Sequence, residues 1–175
     1  NDDPDARYAI VNHTYKNSPA QKAGIERGDI IIKINGIPLN KDNIGQLQDA
    51  ASPELTVAKW NKTQFVDYRE IERMEKEEMY LDPIVTTSII EKGTHKIGYM
   101  YYSDFISIRS GMREPLRDLN NNVEWFAGRG VTDFILDLRT NGGGTPDAAR
   151  HLCSLLAPRS DVEAKSVICS NVYPD

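Results

Sequence analysis

The pattern of apolar and polar positions divides the first half of the chain into short extended runs. Alternation and β-branched residues predict extended segments at 8–15, 30–34, 37–39, 55–60 and 64–71. Asn35-Gly36 separates the second run from the third and is typical of a tight hairpin turn. This half of the chain is therefore predicted to be β-rich.

Two short helices are predicted between these runs. Ser18 precedes Pro19, which combines a capping side chain with a proline at the first helical position, and Gly24 ends the segment. A weaker helix is predicted over 41–51, where apolar residues recur at helical spacing but Gly45 counts against the helix.

The second half of the chain has a different pattern. Strands are predicted at 84–90, 96–102 and 131–138, a longer helix at 112–127, a helix that Thr145 and Pro146 open, and a further strand at 162–168. Strand, helix and strand in this order form a βαβ unit with a right-handed crossover. Because the apolar residues at 134, 135, 136 and 138 are nearly continuous in the last of these strands, we expect helices to cover both faces of its sheet. The predicted fold class combines a small β-rich α+β part with an α/β part.

A strongly charged segment separates the two halves. Eight of the ten residues from 69 to 78 are charged, which fits either a docking surface or a solvated strand end that runs into a linker. We favour the solvated strand end. The predicted organisation is a first domain at 1–75, a linker at 76–83 and a second domain at 84–175.

Composition narrows the classes of function. The 175 residues include 21 Lys and Arg against 26 Asp and Glu, so the formal net charge is −5. Without a basic face, nucleic acids and anionic membranes are poor candidates as partners. Cys153 and Cys169 belong to no motif with metal-ligand spacing, and the histidines are scattered, at 13, 95 and 151. These residues therefore give no indication of a metal site.

The most informative stretch is 137–144, with the sequence Asp-Leu-Arg-Thr-Asn-Gly-Gly-Gly. A buried strand ends in it and a capped helix follows at once. Glycines can turn backbone N–H groups toward a ligand beside the positive end of a helix dipole, which makes an oxyanion or phosphate site. The spacings of nucleotide-binding loops are absent. The alternative is a tight strand-to-helix turn that Asp137, Arg139 and Asn141 brace by local hydrogen bonds.

This stretch resembles the catalytic core of the C-terminal processing (tail-specific) serine peptidases, a family related to the tricorn protease. The residues that precede it, Lys96-Ile-Gly-Tyr-Met100 and Phe105, are part of the same resemblance. Independently, Ser-Pro-Ala-Gln-Lys-Ala-Gly at 18–24 and Gly-Asp-Ile-Ile-Ile-Lys-Ile-Asn-Gly at 28–36 resemble the PDZ module that these peptidases carry before that core. The resemblance implies a PDZ-like first domain with a clipped N-terminal strand, followed by the N-terminal part of the catalytic core.

The resemblance also implies an activity. Members of this family cut unfolded or C-terminal polypeptides with a serine that a lysine activates, without a metal or cofactor, and they are usually exported to a periplasm or cell envelope. The turn formed by Gly142, Gly143 and Gly144 is implied to supply one backbone N–H of the oxyanion hole. The polar residues of the same motif are expected to brace the turn rather than to transfer protons.

The sequence departs from the family on the C-terminal side of the turn. The family's serine comes after a further strand and its lysine later still, whereas this sequence stops at Asp175, and its serines beyond the turn lack small neighbours. We therefore expect a fragment that does not itself hydrolyse peptides, and no catalytic residue is assigned within it. A histidine-containing catalytic set, a catalytically inactive PDZ-containing scaffold and an anion-binding α/β protein stay open as alternatives.

Overall fold

The computed structural model describes residues 5–108 and 114–167. The chain divides into two compact units, one up to Leu81 and one from Asp82. Each unit folds around a hydrophobic core of its own.

The first unit is built on an antiparallel sheet. Its elements are β1 (Ala9–Ile10), α1 (Pro19–Lys22), β2 (Ile30–Ile34), β3 (Ile37–Pro38), α2 (Gln46–Asp49), β4 (Leu55–Trp60) and β5 (Phe65–Ile71). The strands pair in the order β1-β2-β4-β5, with β3 beside β2. The strand predicted at 8–15 is thus reduced to two residues. Ile34, Leu39 and Val57 are fully buried in the core.

Local sequence signals account for the first helix and the tight turn. Ser18 caps α1 by accepting a hydrogen bond from the Gln21 N–H at 3.1 Å, and Gly24 follows the helix with φ +76°. Asn35 and Gly36 have φ values of +51° and +77°, which match a hairpin turn with the twist of its strands. Both predictions are confirmed.

The helix predicted at 41–51 is shorter in the structure, because a side chain competes with the helical backbone. α2 contains only Gln46–Asp49. The Asn40 side chain accepts hydrogen bonds from the N–H groups of Asp42 and Asn43, at 2.9 and 3.0 Å. These bonds give the backbone an alternative to helical hydrogen bonds, so the helix begins later than predicted.

A buried carboxylate fixes the loop before β2. The Asp29 side chain is fully buried and lies 2.7 Å from Lys59 Nζ and 2.5 Å from Arg69 Nη2. It also accepts a hydrogen bond from the Glu26 N–H at 2.9 Å. Burial raises the pKa of Asp29, but the hydrogen bonds from Lys59, Glu26 and Arg69 outweigh burial and hold the pKa below its usual value. The carboxylate thereby ties this loop to β4 and β5.

The charged segment after β5 remains attached to the first unit. Its charged side chains are exposed, whereas Met74 is half-buried and packs against the core. The Met74 N–H donates to Pro53 O at 3.3 Å, and the Lys76 N–H donates to Ala51 O at 3.2 Å. The segment therefore runs alongside 51–53 instead of leaving the unit directly.

The second unit contains a mixed sheet with helices. Its elements are β6 (Ile84–Lys92), β7 (His95–Tyr102), α3 (Glu114–Ala127), β8 (Asp133–Asp137), α4 (Pro146–Leu156) and α5 (Arg159–Glu163). β7 lies in the middle, antiparallel to β6 and parallel to β8, with α3 in the connection between β7 and β8. The predicted βαβ unit is confirmed. The predicted helix start at Met112 lies outside the described residues.

Two helices of this unit, α3 and α4, pack on one face of its sheet. Leu119 of α3 and Leu152 of α4 share one buried cluster with Met100 of β7, and Phe134 of β8 packs against it. On the opposite face of β8, Ile135 is 45% exposed. The prediction of helices on both faces is therefore wrong for the part of the chain that the structure describes.

The strand predicted at 162–168 is also wrong over its described residues. Arg159–Glu163 forms α5 instead, and position 168 lies outside the described residues. Arg159 Nε donates to Glu163 Oε1 at 2.6 Å across one helical turn, a pairing that supports a helix. The apolar side chains that suggested the strand are exposed, Val162 by 46% and Val167 by 83%, so no sheet buries them here.

Among the described residues, no helix has the length and apolar character needed to cross a lipid bilayer.

Candidate active site

The glycine turn lies between the end of a parallel strand and the start of a helix. In the register of β7 and β8, Tyr101 lies beside Asp137, the last residue of β8. After the turn, Thr145 caps α4 by accepting a hydrogen bond from the Ala148 N–H at 3.4 Å, and Pro146 occupies the first helical position. This is the strand-to-helix position at which open α/β sheets bind ligands.

Asp137 and Arg139 form a compact ion pair at the base of the turn. The Asp137 side chain is 5% exposed; its Oδ1 accepts from the Arg139 N–H at 3.1 Å and from Nε at 3.0 Å, and its Oδ2 lies 2.6 Å from Arg139 Nη2. Hydrogen bonds from Arg139 and then Tyr99 hold the pKa of Asp137 well below its usual range, and the same ion pair raises the pKa of Arg139. Both groups are charged throughout the physiological pH range.

Asn141 connects the turn to the strand beside it. Its Nδ2 donates to the backbone oxygen of Tyr102 at 3.0 Å. Its Oδ1 accepts from the Gly143 N–H at 2.7 Å. One side chain thus both anchors the turn to the end of β7 and sets the direction of the Gly143 peptide.

The backbone of the turn requires glycine at two positions. Gly143 and Gly144 have φ values of +100° and +137°, which other residues rarely adopt. Phe105 lies against them: its N–H donates to Gly143 O at 2.8 Å, and its O accepts from the Thr145 N–H at 2.6 Å. A Cβ atom on Gly144 would lie 2.1 Å from Phe105 O, whereas one on Gly142 would meet no atom within 4 Å.

The three glycine N–H groups differ in their availability. The Gly143 N–H is occupied by Asn141. Within 5–108 and 114–167, no protein acceptor takes up the N–H of Gly142 or Gly144. Backbone N–H groups beside a helix N-terminus favour negative charge. The arrangement can therefore present N–H donors to an oxyanion.

Two tyrosines hold the turn from β7, and sequence reasoning missed them. The Tyr99 hydroxyl donates to Asp137 Oδ2 at 2.6 Å. The hydroxyl of Tyr101, a residue only 3% exposed, forms a short hydrogen bond with Thr140 Oγ1. Their spacing of two on a predicted strand places both on one face, and this was the signal available in the sequence.

The two histidines of the second unit bond to residues outside the turn. His95, at the first position of β7, places Nδ1 2.9 Å from Asp133 Oδ2, at the opposite end of these strands. His151 places Nε2 2.9 Å from Asn120 Oδ1, which connects α4 to α3. No group of three or more His, Cys, Asp or Glu residues in the described ranges is arranged to hold a metal ion.

The first unit contains a separate apolar groove of about 680 Å³. The segment 10–15 lines it, and Leu47 and Ala50, at and just after α2, line it as well. Met74 and Met79, from the segment after β5, complete its lining. The groove thus offers apolar surface beside the short strand β1.

Two family models match the chain. Residues 10–58 match the PDZ domain, and residues 96–166 match peptidase family S41. The first match lies in the first compact unit and the second match in the second. The resemblance drawn from the sequence motifs is confirmed.

Curated relatives point to the same family. A carboxyl-terminal-processing protease of Picosynechococcus sp. is 30% identical over 143 residues, which are 79% of this chain and 32% of the relative. The chloroplastic carboxyl-terminal-processing peptidase 3 of Arabidopsis thaliana is 24% identical over 163 residues, 89% of this chain and 31% of the relative. The chain spans about a third of the length of these relatives.

Solved structures confirm the predicted fold class. A crystal structure from Bacteroides fragilis assigned to the S41 proteases has a TM-score of 0.72 and 28% identity, and the match covers 92% of this chain and 43% of that one. The photosystem II D1 C-terminal processing protease has a TM-score of 0.56 and 17% identity. The match covers 87% of this chain and 43% of that protease chain. At that identity the second likeness concerns the fold alone.

Proposed function

The chain is homologous to the carboxyl-terminal processing proteases of peptidase family S41, and from this premise we propose that it contributes a PDZ-type domain and part of the catalytic core to a serine endopeptidase. The proposed substrates are polypeptides, cleaved near their C-termini. The observation that carries the proposal is the glycine turn after β8, which leaves two backbone N–H groups without a protein acceptor among the described residues beside the start of α4.

The role proposed for the turn is to supply one donor of the oxyanion hole. When a serine attacks the scissile carbonyl, negative charge develops on the carbonyl oxygen, and a backbone N–H aimed at that oxygen stabilises the transition state. Loss of one such donor costs about 2.7–4 kcal/mol. Because Asn141 occupies the Gly143 N–H, the donor is the N–H of Gly142 or Gly144. Asp137, Arg139 and Asn141 are proposed to brace the turn.

The nucleophile and base are proposed to come from a serine and a lysine of the same parent protein outside this sequence. The lysine amine takes the serine proton, and the serine oxygen attacks the scissile carbonyl carbon. The peptide C–N bond breaks as the protonated lysine gives its proton to the leaving amine, which leaves an acyl-enzyme. Water, deprotonated by the lysine, then hydrolyses the acyl-enzyme and restores the serine. The 175-residue chain assayed alone is then expected to leave an unstructured peptide uncut.

The test of this mechanism uses a parent protein that contains this segment together with the serine and lysine. Replacing that serine by alanine is expected to abolish cleavage of an unstructured peptide, with the circular dichroism spectrum unchanged. Cleavage that persists in the alanine variant would contradict the serine mechanism. A parent that folds and binds peptide but lacks the serine and lysine would instead support the scaffold alternative.

An anion-binding protein is the second candidate, since the same N–H groups suit a phosphate. If the turn serves the peptidase proposed above, titration of this chain with inorganic phosphate is expected to leave the amide chemical shifts of Gly142 and Gly144 without a saturating change. Gly128 and Gly130, at the end of α3, serve as internal controls in the same spectra. Saturating shifts confined to Gly142 and Gly144 would favour the anion-binding protein over the peptidase.

The first unit is proposed to hold an extended polypeptide in its apolar groove, beside the edge of β1, by β-augmentation.

The proposed domains are 1–75 and 84–175 with a linker at 76–83, and the unit boundary after Leu81 lies within that linker. Export to a periplasm or cell envelope is proposed by resemblance to the family alone.

A further inference from the structure

We propose that Tyr99 and Tyr101 are positioning residues that hold the glycine turn against β7, so that the turn's free N–H groups lie where the oxyanion forms. The inference rests on the proposed function and adds residues outside the glycine motif. Its basis is the placement of the two hydroxyls, one at each end of the segment from Asp137 to Thr140.

The hydrogen bonds of the turn belong to two classes. Those between Asp137 and Arg139, and between Asn141 and Gly143, join residues only two apart, so they shape the turn without fixing its place on the sheet. The bond from Asn141 to the backbone oxygen of Tyr102, and the backbone bonds of Phe105 with Gly143 and Thr145, join the turn to distant residues. The two tyrosine hydroxyl bonds from β7 are also of this second kind, since they span 38 and 39 positions of sequence. They connect the turn to a strand whose own position is set by pairing on both sides.

The strand register explains how both hydroxyls reach the turn. Tyr99 lies beside Ile135 and Tyr101 beside Asp137 in the parallel pair. Each side chain leans along the strand direction, so the Tyr99 hydroxyl reaches Asp137, and the Tyr101 hydroxyl reaches Thr140 beyond the strand end. The pair therefore holds two successive points of the chain as it leaves β8.

The hydroxyls of Tyr99 and Tyr101 make the hydrogen bonds to the turn, whereas their aromatic rings contribute packing area. Tyr101 is almost fully buried, and a buried hydroxyl is costly unless it has a partner, which Thr140 provides. Tyr99 is half-buried, and its hydroxyl bonds a carboxylate at 2.6 Å, a charge-assisted contact. Phenylalanine at either position would keep the ring and remove the hydroxyl that bonds to the turn.

The consequence for catalysis is geometric. An oxyanion donor acts only if its N–H points at the developing charge, and small misplacements of a catalytic group cost large factors in rate. The tyrosines touch neither substrate nor the reacting atoms in this proposal. They act through Asp137 and Thr140 on the orientation of the glycine peptides.

The first experiment uses this chain with Tyr99→Phe, Tyr101→Phe and the double substitution. We expect the fold to be retained and the amide resonances of Gly142 and Gly144 to shift or broaden in ¹H–¹⁵N spectra, while those of Gly128 and Gly130 stay in place. Tyr68→Phe, at a tyrosine of β5 that is 60% exposed, is the matched control and should leave all four unchanged. Unchanged Gly142 and Gly144 resonances in the double variant overturn the proposal.

The second experiment places the same substitutions in a parent peptidase that carries this segment. The double variant is expected to lower kcat by about tenfold to a hundredfold with KM nearly unchanged, because the interaction affected exists only in the transition state. An unchanged kcat would overturn the positioning role. Absence of cleavage by the unsubstituted parent would instead contradict the proposed function, and the spectra of the first experiment would still decide whether the tyrosines hold the turn.

Discussion

At the scale of single residues, Asp137 is the charge on which the candidate turn is built. Arg139 donates to it from its backbone N–H, Nε and Nη2, and Tyr99 donates through its hydroxyl. These bonds lower the pKa of Asp137 in the folded protein. An unfolded aspartate has a pKa of about 3.9. The carboxylate therefore stabilises the fold above that pH, and its contribution is lost as the pH falls through the lower, folded value.

The substitution Asp137→Asn is expected to lower the thermal midpoint of the second unit at pH 7. It should also flatten the decline of that midpoint between about pH 4 and pH 2, because the group that would be protonated there is absent. Circular dichroism melts across this pH range measure both effects. Asp147→Asn, whose carboxylate lies in an exposed pair with Arg150, is the matched control. If the thermal midpoint of Asp137→Asn fell as steeply with decreasing pH as that of the unsubstituted chain, the ionised Asp137 carboxylate would not be the group that stabilises the fold.

At the scale of elements, the connection from β8 to α4 requires glycine at position 144 but has room for a side chain at position 142. We expect Gly144→Ala to destabilise the second unit by more than the roughly 1–3 kcal/mol of an unfavourable φ alone, because Phe105 must also move. Gly142→Ala, which has open space and no positive φ, should stay within about 0.5 kcal/mol of the unsubstituted chain. Urea unfolding monitored in the second unit compares the two, and equal losses would contradict the described turn.

At the scale of the whole molecule, each of the two units has its own core, so we expect their stabilities to be separable. Asp29→Ala removes a buried carboxylate from Lys59 and Arg69 and should destabilise the first unit by about 1.5–3 kcal/mol. Leu119→Ala, at a fully buried position, should cost the second unit about 2–5 kcal/mol. Amide hydrogen exchange resolved by unit measures each effect. Equal loss of protection in both units from either substitution would show a single cooperative core instead.

Elements with strong local signals were predicted from the sequence. Ser18 with Pro19, and Thr145 with Pro146, begin helices in the structure as predicted, because a cap acts on N–H groups two or three residues away. The strand prediction fails over 162–167 because no sheet among the described residues buries Val162 or Val167, and an Arg159–Glu163 pair supports a helix. Short apolar runs do not by themselves distinguish a strand from a helix.

The sequence by itself indicated the resemblance to this peptidase family, the two successive units and the glycine motif, because these depend on residue types at fixed local spacing. Only the tertiary structure decided that Asn141 occupies the Gly143 N–H, that Phe105 closes on Gly144, and that the hydroxyls of β7 reach the turn. Those contacts depend on the register between β7 and β8 and on the positions in space of residues 38 and 39 apart in the chain. The alternating pattern of one strand indicates which of its residues share a face, but it does not say which residue of the neighbouring parallel strand lies beside each of them.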